Sequence, residues 1–189
     1  MEREDVQRLP RSQVNAASTS SHAAITHDVA DLLAWLEGSP LGHAMRNAGV
    51  WAYGIVNLTH ILGVSSLFGA VLVLDLRLLG FWRSVPLAFI ARPTVPIATI
   101  GFIVAATSGL CLISTNGSEY VGNPFLLIKF PAIFIGLLNV AALSRLPAWR
   151  ARDVRTPSTT EQRQLSVFGG ISLLSWLTAI GAGRLIGYW

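Results

Sequence analysis

Four long apolar stretches dominate the chain, at roughly residues 49–74, 95–115, 124–146 and 165–188. A hydrocarbon core about 30 Å thick takes about 20 apolar helical residues to cross, and each stretch reaches that length. Turn and breaker residues separate them. Arg83 to Pro96 holds three prolines, Asn116 to Asn123 reads NGSEYVGN, and Leu146 to Gln164 carries Pro147 and Pro157 with much of the remaining charge. Ahead of the first stretch, Val29, Leu32, Leu33 and Leu36 recur at helical spacing against Asp28, Asp31 and Glu37. This segment, about 26–38, is too short and too charged to span. With Trp35 on it, it is expected to lie along a membrane surface until Gly38 and Pro40 stop it. Residues 1–24, with mixed charge, Pro10 and a Ser/Thr/Ala/Asn run, are expected to form a disordered tail. That tail lacks the apolar stretch of a secretory signal and is expected to stay on the mature chain. The pattern as a whole predicts an all-α polytopic membrane protein. It is a four-transmembrane-helix bundle with an N-terminal amphipathic surface helix, in one membrane domain over 25–189.

Composition agrees with this class. Of 189 residues, 52% are hydrophobic and 13% charged, and the mean hydropathy is +0.53; soluble domains carry roughly 25% charge. The net charge of +4 does not point to nucleic acid, because no basic patch with interleaved aromatics occurs. The basic residues sit beside apolar runs, where they set topology and meet anionic headgroups. The first loop carries Arg77, Arg83 and Arg92, the third carries Arg145, Arg150, Arg152, Arg155 and Arg163, and the second carries none. The positive-inside rule then makes the first and third loops cytoplasmic and puts both termini in the periplasm. The expected partners are the lipid bilayer and a membrane-protein partner or second copy of the chain. The single Cys111 lies in an apolar run and reads as a buried structural thiol.

Small residues mark the faces where helices should meet. Gly101, Ala105 and Gly109 recur every four residues in the second span, and Gly169, Ser172, Ala179 and Gly183 lie along the fourth. In the first span Tyr53, Asn57, His60 and Gly63 fall near one stripe, and in the third Lys129, Gly136 and Asn139 do. Ser175 and Arg184 are the polar positions of the fourth span expected to face an interior. Asp75 and Arg77, two apart, cannot face each other, and Arg77 beside Trp82 reads as an interfacial anchor.

An ionisable residue inside a span is costly and usually has a partner, so His60 is the natural centre of any site. Three readings stay open. His60 is structural, bonded to a carbonyl of the second span or to Ser108, with Lys129 and Arg184 reaching lipid phosphates. Alternatively its neutral imidazole serves a haem b or a quinone, with Asn57 beside it and Lys129 and Arg184 meeting propionates or another anion. In the third reading it holds a metal or handles protons. A bis-His cytochrome would need a second histidine within the spans, and none occurs; His43 lies at their edge and His22 and His27 precede it.

The segments WLEGSPL (35–41), DLRLLG (75–80), NPFLLIK (123–129) and GRLIGY (183–188), with His60 and Asn139, resemble an uncharacterised family of small bacterial integral membrane proteins. The likeness covers about residues 30–189 and rests on order and spacing rather than one motif. It implies a bacterial inner-membrane helical bundle and no established activity. Members often carry a histidine about five residues after the third-span Asn, where this chain has Ser144. That departure weakens a two-histidine cofactor arrangement.

No phosphate-binding Gly-rich loop, G-x-S-x-G elbow, HExxH or CxxC occurs. The expected function is therefore an accessory or anchoring subunit, with a haem or quinone near His60, rather than an enzyme on its own. The alternative is a small transporter or proton-coupled membrane factor.

Overall fold

The computed structural model describes residues 27–188; the tail expected over 1–24 lies outside the described residues. Every element among the described residues is helical. Residues 27–37 form α1, followed by α2 (Pro40–Asn47), α3 (Gly49–Leu79) and α4 (Leu87–Thr115). A 3-10 turn (Gly117–Tyr120) leads to α5 (Pro124–Leu143), the single turn α6 (Pro147–Arg150) and α7 (Thr159–Leu185), which ends in a second 3-10 turn (Ile186–Tyr188). Four helices, α3, α4, α5 and α7, are long and apolar enough to cross a membrane.

Two of these helices begin before the apolar stretches do. The sequence places Pro93 and Pro96 in a loop, yet both lie inside α4. A proline within a helix removes one hydrogen bond, and neighbouring helices and Thr side chains can compensate for the break. The carbonyls left without an N–H donor are those of Phe89 and Arg92; Thr94 Oγ1, between the two prolines, donates instead to the Ile90 carbonyl at 2.7 Å. At the other early start, Ser158 and Glu161 form a capping box that starts α7 at Thr159, ahead of the apolar run from 165.

The four long helices pack antiparallel in the order α4, α3, α7, α5, with α4 and α5 making no extensive contact. Close approach is possible where small residues meet. A Cβ at Gly63 would fall 2.7 Å from the Ala105 nitrogen, and one at Gly101 would fall 2.5 Å from the Leu67 nitrogen. On the other flank, Gly169 of α7 fits against Leu78 and the Asp75 carbonyl, and Gly136 of α5 receives the indole of Trp176. Trp176 also packs with Leu67 and Val71 of α3 and meets Phe102 of α4 edge-on at 6.2 Å, so this α7 side chain touches the other three long helices. A second core at the Leu79 end joins Leu78, Leu87, Leu143, Trp149 and Leu165.

The outward faces are apolar as well: Ile55, Ile100, Phe134 and Leu174 are all more than half exposed. A helix that is hydrophobic all round belongs in a buried or lipid setting.

At the Gly49 end, α1 and α2 dock over the end of α4. Leu33 is buried, Gly42 and Gly117 sit against neighbouring carbonyls, and Glu37 Oε2 accepts from the Ser118 backbone N–H at 2.7 Å. Arg46 Nη1 donates to the Thr115 carbonyl at 3.0 Å, satisfying an end group of α4, while its Nη2 donates to the Glu37 carbonyl at 2.9 Å.

Candidate functional site

His60 sits in the half of the bundle where α3 begins, facing α4. Its Nδ1 lies 2.9 Å from the Ala105 carbonyl oxygen and 3.2 Å from Ser108 Oγ. A carbonyl oxygen can only accept, so Nδ1 carries the proton. Ser108 spends its own hydrogen on the Val104 carbonyl, which leaves Oγ to share the Nδ1 proton as a second acceptor. Gly109 makes the approach possible, since a Cβ there would fall 3.0 Å from His60 Cε1. With Nδ1 protonated, Nε2 of the neutral ring presents a lone pair, and it has no hydrogen-bond partner among the described residues. The ring is half-buried.

The other residues expected around His60 divide. Lys129 lies on α5 in the same half, its aliphatic stem and Nζ against Gly183 of α7. Gly136 and Asn139 share its helix face and are buried against α7, where Asn139 Nδ2 donates to the Phe168 carbonyl at 3.0 Å. Asn57 is exposed and makes no hydrogen bond to His60. The reason is rotation: at about 100° per residue, Asn57 lies about 120° around α3 from Gly63, the centre of the packed face. Arg184 is likewise exposed rather than interior. Nine residues beyond the buried Ser175, it is on the opposite side of α7 by the same arithmetic. It donates to the Tyr188 hydroxyl at 2.6 Å and lies over that ring.

The opposite half holds polar groups to which hydrophobic patterning gave little weight. Asp75 is 2% exposed, faces α7 near Ser172, and leaves Oδ2 without a partner. Arg77 is not a surface anchor beside Trp82. It is 3% exposed, with Nε donating to the Val85 carbonyl at 2.9 Å and Nη1 reaching Gln162 Oε1 at 3.5 Å. Gln162 and Ser166 both donate to the Leu78 carbonyl. Charge spacing alone could not reveal this, because Arg77's nearest partner is a loop carbonyl that any residue could supply.

Among the described residues, no three His, Cys, Asp or Glu side chains gather closely enough to hold a metal ion. Two clefts of about 420 and 410 Å³ lie at opposite ends of the bundle, and His60 lines neither. No family model, curated protein or solved structure matches this chain.

Proposed function

We propose that this chain is a multi-pass protein of a bacterial inner membrane, with both termini periplasmic. It acts as an accessory or anchoring subunit that offers one imidazole nitrogen to a haem b or a quinone. One observation carries the reading: Nδ1–H of His60 is committed to Ala105, and Nε2 is left open. A ring nitrogen fixed by a backbone carbonyl, with the other nitrogen free, is the arrangement that presents imidazole to iron. The same lone pair would accept a hydrogen bond from a quinol hydroxyl. Because His60 is half-buried and lines neither cleft, a neighbouring chain or second copy would complete the cofactor's surroundings. Lys129 supplies a nearby cation for an acidic group, whereas Arg184 is engaged with Tyr188. The four apolar helices, the arginine-rich loops and the likeness to small bacterial membrane proteins support the location, with α1 read as an amphipathic surface helix.

Absorption spectra of the detergent-purified protein, oxidised and dithionite-reduced, together with quinone extraction, test the proposal. A chromophore or bound quinone lost in His60→Ala while the bundle stays folded is the expected result. A colourless, quinone-free protein isolated with its native membrane partners retained would sink it.

A proton-coupled carrier is the second reading, favoured by the unpartnered Oδ2 of Asp75, buried within the last turns of α3. Ionisable groups in spans mark proton pathways. That reading expects pH-dependent flux in proteoliposomes that disappears in Asp75→Asn.

A further inference from the structure

At the end of the bundle where α3 gives way to α4, a cleft of about 420 Å³ is lined by Arg77, Arg83, Arg163 and the first turn of α7. We infer that this cleft is a binding site for a phosphate-bearing anion, supplied by an anionic phospholipid headgroup or by free phosphate. The inference rests on the membrane reading only for the lipid as source.

Charge balance comes first. Of the carboxylates near this end, Asp153 is engaged by Arg92 and Glu161 by Arg155 in a two-pronged pair at 2.6 and 2.7 Å, while Asp75 is buried towards α7 and pairs with none of the cleft's arginines. Arg77, Arg83 and Arg163 have no carboxylate within 4.0 Å among the described residues. Three like charges around one cavity repel each other unless an anion joins them.

Construction comes second. Setting topology requires only exposed positive charge, yet the Arg77 side chain is almost wholly buried and held by the Val85 carbonyl and Gln162. Its Nη2 donates to nothing among the described residues. Arg83 is folded back over Gly80, whose φ of 108° favours glycine, and its guanidinium lies against the place a Cβ would take. The second guanidinium of the cleft thus lies over the glycine turn that ends α3.

Donors come third. The Ser158 side chain caps the Glu161 N–H, but the Thr159 and Thr160 N–H groups at the start of α7 have no acceptor among the described residues. Backbone N–H groups at a helix start, with guanidiniums that bind in a planar fork, suit the oxygens of a phosphate.

The test titrates the full chain in detergent with short-chain phosphatidylglycerol, short-chain phosphatidylcholine and inorganic phosphate. Thermal midpoint and lipid retained in native mass spectrometry are followed. We expect phosphatidylglycerol to bind about tenfold or more tightly than phosphatidylcholine, as charge-assisted hydrogen bonds require. Arg83→Gln and Arg163→Gln, both exposed and separable from folding, should each weaken it about three- to tenfold. Arg145→Gln, exposed but outside the cleft, should leave it unchanged. Protection by inorganic phosphate that vanishes in the same variants supports the site and assigns free phosphate as its source. Equal binding of both lipids with no phosphate effect overturns the inference, as does an Arg83→Gln or Arg163→Gln protein indistinguishable from Arg145→Gln. Recovery of the chain in the soluble fraction after alkaline washing of membranes would instead sink the membrane reading, and the phosphate arm would still decide the site.

Discussion

The His60 imidazole lies against Gly109 on the facing helix, where a single added methyl would come within 3.0 Å of Cε1. Gly109→Ala therefore has to displace the ring from Ala105 or spread α3 from α4. Either response should cost about 1–3 kcal/mol. Thermal unfolding in detergent measures this, and an unchanged midpoint would show that the ring moves freely. His60→Gln separates two roles of the same residue. Its amide can donate to the Ala105 carbonyl and should recover most of the stability lost in His60→Ala. It should not restore any cofactor that needs Nε2.

The α3–α4 contact offers a sharper steric contrast. At Gly101 an added Cβ would fall 2.5 Å from the backbone nitrogen of Leu67, which cannot rotate away, whereas at Gly69 nothing lies within 4 Å. Gly101→Ala should destabilise by about 1–3 kcal/mol, and Gly69→Ala should be neutral or slightly stabilising. Equal effects at the two positions would mean that α3 and α4 are not pressed together there.

The docking of α1 should depend on pH. The Ser118 backbone N–H on Glu37, helped by the Arg46 charge, holds the Glu37 carboxyl below its ordinary range. A depressed carboxylate adds stability that is fully present above its unfolded value, about 4.3, and is lost as pH falls through the lower folded value. Hydrogen exchange at the Ser118 amide should therefore quicken, relative to the intrinsic rate, as the solution is acidified through that range. In Glu37→Gln the dependence should be absent; its persistence would assign it to another group.

Orientation is read by labelling single cysteines in a Cys111→Ser background. Glu119 and Val154 are exposed at opposite ends of the bundle. Gly117, in the same turn as Glu119, is buried against Leu33 and would disturb packing if replaced. A periplasmic reagent should modify Glu119→Cys in intact cells and spare Val154→Cys. The reverse pattern would place the arginine-rich loops outside.

The middles of the four long helices were legible because an apolar run of that length has few other uses. Their ends were not. Pro93 and Pro96 signal a loop in isolation, and packing of α4 against α3 makes a helix tolerable there. The start of α7 is set by Ser158 and Glu161, a local capping signal that hydrophobic periodicity does not carry. His60's bond to the second long helix could be anticipated from the cost of an unpaired imidazole. Asn57 is misplaced by a stripe of approximate spacing that spans more than 100° and so reaches the outside, and Arg184 because it stands opposite Ser175, so that the two cannot both face one interior. The burial of Arg77 depends on the path of the loop to Val85, which no periodicity encodes.

Trp176 bridges Phe102 of α4 and Gly136 of α5, two helices that otherwise scarcely meet. The bundle is in that sense a pair of hairpins, α3 with α4 and α5 with α7, each continuous in sequence. During synthesis the first hairpin can close while the second is still inside the ribosome. The indole, emerging after the first hairpin is complete, is then the wedge that seats one hairpin on the other.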